Sequence, residues 1–144
     1  MEDQQRLNNL LNEINVYRQQ AELIQQQIEL IQASIAEVDA LSSTIDDIEG
    51  KESIEAFVPV GAGSFIKGEL KSTDEIIVSI GAGLAVKKDA DGARKIIAGQ
   101  KEDLKDSLDK MLANLQKVSD IVGSLQAQAE QIAAAAQGNM TQMG

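Results

Sequence analysis

Residues 57–70 read FVPVGAGSFIKGEL, and residues 77–89 return to nearly the same pattern as IVSIGAGLAVKKD. The glycines either cradle a phosphate or turn the chain. A dinucleotide fingerprint needs a third glycine, Gly-x-Gly-x-x-Gly, so that a helix can pack closely beneath the pyrophosphate. That position holds Ile66 in the first copy and Val86 in the second. The Gly-Lys-Ser/Thr sequence of a P-loop is also missing, replaced by Lys67-Gly68 and Lys87-Lys88. Apolar runs flanking Gly61-Ala62-Gly63 and Gly81-Ala82-Gly83 instead predict two β-hairpins, with glycine supplying the positive φ of a tight turn.

On either side of the hairpins the period changes from two to seven. Leu7, Ile14, Ala21, Ile28 and Ile35 share one heptad position; Leu10, Tyr17, Ile24, Ile31, Val38 and Ile45 share the other, interrupted at Ser42. No glycine or proline precedes Gly50, which can end a helix beginning near Gln5. Beyond Asp89-Ala90-Asp91-Gly92, where either aspartate can cap a helix, a second frame begins. It runs through Ile97, Leu104, Met111, Val118, Leu125 and Ile132, paired with Leu108, Leu115, Val122, Ala129 and Ala136. Two heptad helices of similar length joined by a short connector predict an antiparallel coiled-coil hairpin with both termini at its tip. The expected organisation is a helical arm over residues 1–50, a double hairpin over 51–90, and a second arm with its tail over 91–144.

Composition narrows the function. The 144 residues include no histidine, cysteine or tryptophan, so imidazole bases, thiol nucleophiles and the usual soft metal ligands are missing. Asp89-Ala90-Asp91-Gly92 echoes a calcium loop, but its first and twelfth ligands would be Lys87 and Ala98. No catalytic, cofactor-binding or metal site is expected. The net charge of −10, with ten acids against two arginines in residues 1–50, opposes binding to nucleic acid. No apolar run reaches membrane-spanning length and the first residues are polar, so a cytoplasmic location is expected.

Two apolar surfaces remain to be explained. Val58, Val60, Phe65, Ile66, Ile77, Val78, Ile80, Leu84 and Val86 give the hairpins apolar faces that a two-helix arm can do little to cover, so these residues are expected to complete their sheet with other subunits. Pro59 suits an edge or a bulge. At the opposite end, Leu7, Leu10, Leu11, Ile14, Ile132, Met140 and Met143 gather near the termini, and Leu11, Ala133 and Ala135 fall beside the seam. A multimerising middle with adhesive rod ends is suited to holding another chain. The alternative is a structural coiled-coil scaffold whose seam binds a specific partner helix.

The order Val58-Pro59, Phe65-Ile66-Lys67-Gly68, Asp74-Glu75, Ile80-Gly81-Ala82-Gly83 and Val86-Lys87-Lys88 between matched heptad arms resembles the prefoldin family, in its archaeal alpha-class form. Leu84 and Ala85 depart from the tyrosines common there. The resemblance implies a mainly α fold: a long two-helix coiled coil joined by two hairpins that build an intersubunit β-barrel. It also implies a hetero-hexamer of two alpha-class and four beta-class subunits. Such an assembly acts as an ATP-independent holdase, capturing non-native client proteins at the coiled-coil tips and delivering them to a group II chaperonin.

Overall fold

The computed structural model describes residues 2–143, with side chains over residues 2–138. The order of elements is α1 (Glu2–Ile48), β1 (Ser53–Gly61), β2 (Ser64–Lys71), β3 (Ile76–Gly81), β4 (Leu84–Lys88) and α2 (Ala90–Met143). Contacts gather the chain into two compact units: a terminal unit of residues 1–32 with 106–144, and a central unit of residues 33–105.

The helix ends follow from their capping chemistry. Glu49 N–H donates to the Ile45 carbonyl at 3.0 Å and Lys51 N–H to that of Ile48 at 3.2 Å. Between them Gly50 adopts a φ of 76°, the left-handed turn that closes a helix C-terminus. At the other entry, Gly92 N–H donates to Asp89 Oδ1 at 2.7 Å, so Asp89 is the N-cap of α2. Between the caps, every expected seam position from Leu7 to Ile45 and from Ile97 to Ala136 is buried or half-buried. In the terminal unit this leaves Ile14, Ile28, Val118, Leu125 and Ala129 in the interior.

The strands form two separate two-stranded antiparallel sheets, β1–β2 and β3–β4. Each closes through two residues at positive φ, Ala62 (49°) with Gly63 (75°) and Ala82 (55°) with Gly83 (75°), the conformation whose twist matches paired strands. Glycine supplies the positive φ expected from the sequence, and an alanine shares it in both turns. One residue before each turn the register shifts, leaving Val60 between Pro59 and Gly61, and Ile80 between Ser79 and Gly81, without a cross-strand partner. Pro59 thus borders a bulge, where its missing N–H costs the ladder least.

In the central unit the second hairpin is docked. Val78 is 2% exposed and packs with Ile45, Ala93 and Ile97, with Val38, Ile76, Ala90 and Ile96 around them. Ala93, fully buried, supplies too small a side chain to hold the strand away. Gln100 Nε2 then donates to the Ser79 carbonyl at 2.8 Å, tying α2 to β3. This corrects the expectation that the helices cover little of the sheet: the inner face of β3–β4 belongs to the protomer core, and Val78 with it.

Candidate functional site

Two surfaces answer to the residues singled out by sequence. The first is on the hairpins. In β1–β2 the register places Val58 opposite Ile66 and Ile54 opposite Leu70 on one face, while Pro59 opposite Phe65 and Phe57 opposite Lys67 occupy the other. Toward the turn neither face is covered: Phe57 is 72% exposed, Phe65 61%, Ile66 59% and Val58 50%, while Ile54 and Ala56 farther along β1 are half-buried. Phe57 and Phe65 together line an open apolar depression. Glu55 and Lys67 form an ion pair at 2.7 Å that is itself exposed, and such pairs contribute little. An isolated two-stranded hairpin is marginal in water, and this one leaves apolar groups on both sides in solvent.

The docked hairpin is different. Val78 is buried and Val86 half-buried, whereas Ile77, Ile80 and Leu84 remain exposed. Of the nine residues expected to build an assembly surface, seven are thus exposed, Val86 is half-buried and Val78 is buried in the protomer.

The second surface lies in the terminal unit. Leu11 is 47% exposed and Ala135 is exposed, while Leu7, Leu10, Ile132 and Ala133 are half-buried. Ile14, at 3% exposure, is inside the seam and holds the pair together without being presented. The side chains of Met140 and Met143 lie outside the described residues. Among the end residues singled out by sequence, Leu11 is thus the most exposed large apolar side chain, because it stands beside the seam and a two-helix seam covers only the residues on its inner faces.

One cluster escaped the sequence reading. Arg94 Nη2 donates to Asp46 Oδ1 at 2.8 Å and Nε to the same oxygen at 3.1 Å; Nη2 also reaches Glu49, and Nη1 reaches Asp91 at 3.3 Å. The hydrogen bond from Arg94 holds the Glu49 carboxyl below its ordinary range, and its carboxylate partners raise the Arg94 guanidinium in turn. With Lys101 and Asp39, these charges link the two helices within the central unit in an antiparallel sense. Among the described residues no cluster of acids is arranged to hold a metal ion, and no helix is long and apolar enough to cross a membrane.

Two long helices around paired hairpins, with an uncovered hairpin surface, define a subunit built for assembly. Residues 17–135 match the family described as Prefoldin subunit, and the chain belongs to the prefoldin family, whose function is that of a molecular chaperone. Within that family it is of the alpha class. It is 76% identical over 144 residues to the Prefoldin subunit alpha of Methanobrevibacter smithii, covering 100% of this chain and 99% of that one. It is 34% identical over 131 residues to the subunit of the same name from Methanosarcina barkeri, covering 88% and 90%. A solved filamentous PFD from Methanocaldococcus jannaschii shares the fold at a TM-score of 0.55 and 22% identity, over 84% of this chain and 95% of that one.

Proposed function

We propose that this chain is the alpha-class component of an ATP-independent holdase that works in the cytoplasm without cofactor or enzymatic step. Its hairpins join those of beta-class subunits in an intersubunit β-barrel, two alpha-class chains with four beta-class chains. The terminal ends of the helices, at Leu7, Leu10, Leu11 and Ile132 and through the tail residues Met140 and Met143, hold non-native polypeptides and release them to a group II chaperonin. The observation that carries the assembly half of this reading is the first hairpin, apolar on both faces and, toward its turn, covered on neither. Burial of that surface between subunits removes the exposure at about 25 cal/mol per Å². Leu11 carries the holding half: an apolar side chain beside the seam is free for contact without opening the helices. Weak ends acting together hold a client far more tightly than one end, and apolar contact sets little sequence preference. The scaffold reading is not favoured, since the relatives are chaperone subunits.

The test substitutes Leu7→Ser, Leu10→Ser and Leu11→Ser together and mixes the variant with a beta-class partner. We expect an unchanged native mass and a several-fold loss in suppressing the aggregation of heat-unfolded citrate synthase. Full protection by the assembled variant would rule out holding at the helix ends.

A further inference from the structure

A second apolar line runs along α1, outside the seam. Val16, Leu23 and Leu30 are 53%, 60% and 69% exposed and spaced seven residues apart, so they stack on one side of the helix about 10.5 Å from one to the next. Two residues earlier in each repeat, Ile14 and Ile28 are 3% and 6% exposed. The line is therefore a separate face of the same helix. Its surroundings are unusual for a chain of net charge −10. Between residues 12 and 27, the exposed side chains three or four positions from Val16 and Leu23 are Asn12, Glu13, Gln19, Gln20, Gln26 and Gln27, and Glu22 shares a depression with Gln19, Leu23 and Gln26. α2 adds Ile121, 38% exposed, one heptad before the Gln128 that shares a depression with Arg6, Asn9, Leu10 and Glu13.

Resting on the holdase reading above, we propose that this stripe is a further holding surface for non-native polypeptide, separate from the helix ends. The chemistry commits to that occupant. A non-native segment presents two things a folded partner conceals: apolar side chains, and peptide N–H and C=O groups without partners. Each flanking amide both donates and accepts, so the Gln rows can meet an exposed peptide backbone in either direction while the aliphatic stripe takes its side chains. The charges beside the stripe, Glu13 and Glu22 with Arg6 nearer the terminus, are fewer than the amides and favour a segment that is not itself acidic. A second copy of this chain fits less well: a few aliphatic side chains offer at most a few hundred Å², against about 800 Å² per partner in a stable complex, and copies of a strongly acidic chain repel one another. The contact is weak by itself and gains its strength by acting with the helix ends on one client.

The experiment uses the full chain assembled with its beta-class partner and, as probe, reduced carboxymethylated α-lactalbumin, which stays unfolded. A photo-crosslinking amino acid is placed at position 23, at position 11, or at position 25 on the other side of the helix. We expect adducts with the probe at 23 and 11 and little at 25. The triple variant V16Q/L23Q/L30Q should keep its native mass and helicity and bind the probe about threefold to tenfold more weakly. Adducts at 11 with none at 23, or unaltered affinity of the triple variant, would overturn the stripe and leave the helix ends standing. Absence of adducts at both positions would remove the reading on which it rests. Adducts at 23 joining two copies of this chain in place of the probe would overturn it in favour of self-association.

Discussion

Val58 and Ile66 stand directly opposite one another in the β1–β2 ladder, and half or more of each side chain faces solvent. A cross-strand apolar pair contributes modestly by itself, and among the described residues nothing buries this one from outside the hairpin. Val58→Asp should therefore leave the protomer's helicity and unfolding midpoint within about 0.5 kcal/mol of the original, while abolishing assembly with beta-class chains. Circular dichroism and native mass measured on the same sample check both halves.

Val78 tests the opposite case. It lies in the same kind of strand but is buried against Ile45, Ala93 and Ile97. Val78→Ala should destabilise the central unit by about 2 kcal/mol through lost burial and the gap left behind. Urea unfolding of the isolated chain would show this as a lower midpoint, with hydrogen exchange rising first in β3 and β4.

The N-cap of α2 yields a graded series. Asp89→Ala removes the acceptor of the Gly92 N–H and should cost about 1 kcal/mol, whereas Asp89→Asn, which keeps an oxygen in place, should cost much less. Thermal unfolding of the three chains should rank them in that order.

Acid should weaken the Arg94 cluster. Because the Glu49 carboxyl is depressed in the folded chain, its contribution is present above the unfolded value and is lost as pH falls through the lower folded value. Stability measured from about pH 6 to about pH 2 should fall less steeply in Arg94→Met than in the original chain. A slope indifferent to the substitution would mean that the cluster makes no net contribution.

Replacing Ala62 by Asn should relieve a turn. Ala62 has a φ of 49°, which asparagine tolerates better than alanine, and Asn-Gly is the preferred pair for this geometry. A gain of several tenths of a kcal/mol is expected, read as slower exchange of the β1 and β2 amides.

The helices were legible because a period of seven maintained over many turns has one simple explanation, and the caps at Gly50 and Asp89 marked where it stopped. The hairpins were legible from Gly-x-Gly between apolar runs. Docking of β3–β4 was not: alternation reveals that Val78 and Ile77 face opposite ways, but the depth available on one side depends on Ala93, twelve positions beyond the end of β3. The Arg94 cluster was hidden for a similar reason, since Asp46 and Arg94 lie 48 positions apart and meet only after the chain has reversed. The stripe at Val16, Leu23 and Leu30 was readable in principle. It has the same spacing as the seam and was obscured by standing two residues out of its frame.

The ion pairs recorded between the helices, Asp46 and Glu49 with Arg94 and Asp39 with Lys101, all fall in the central unit, whereas the terminal unit closes on Ile14, Ile28, Val118, Leu125 and Ala129. Dissolved ions screen the first kind of bond and leave the second nearly untouched or strengthened. Ionic strength is thus a dial that weakens the charged part of the helix pairing near the hairpins, where Ile45, Val78, Ala93 and Ile97 stay packed, and leaves the helices near the termini zipped.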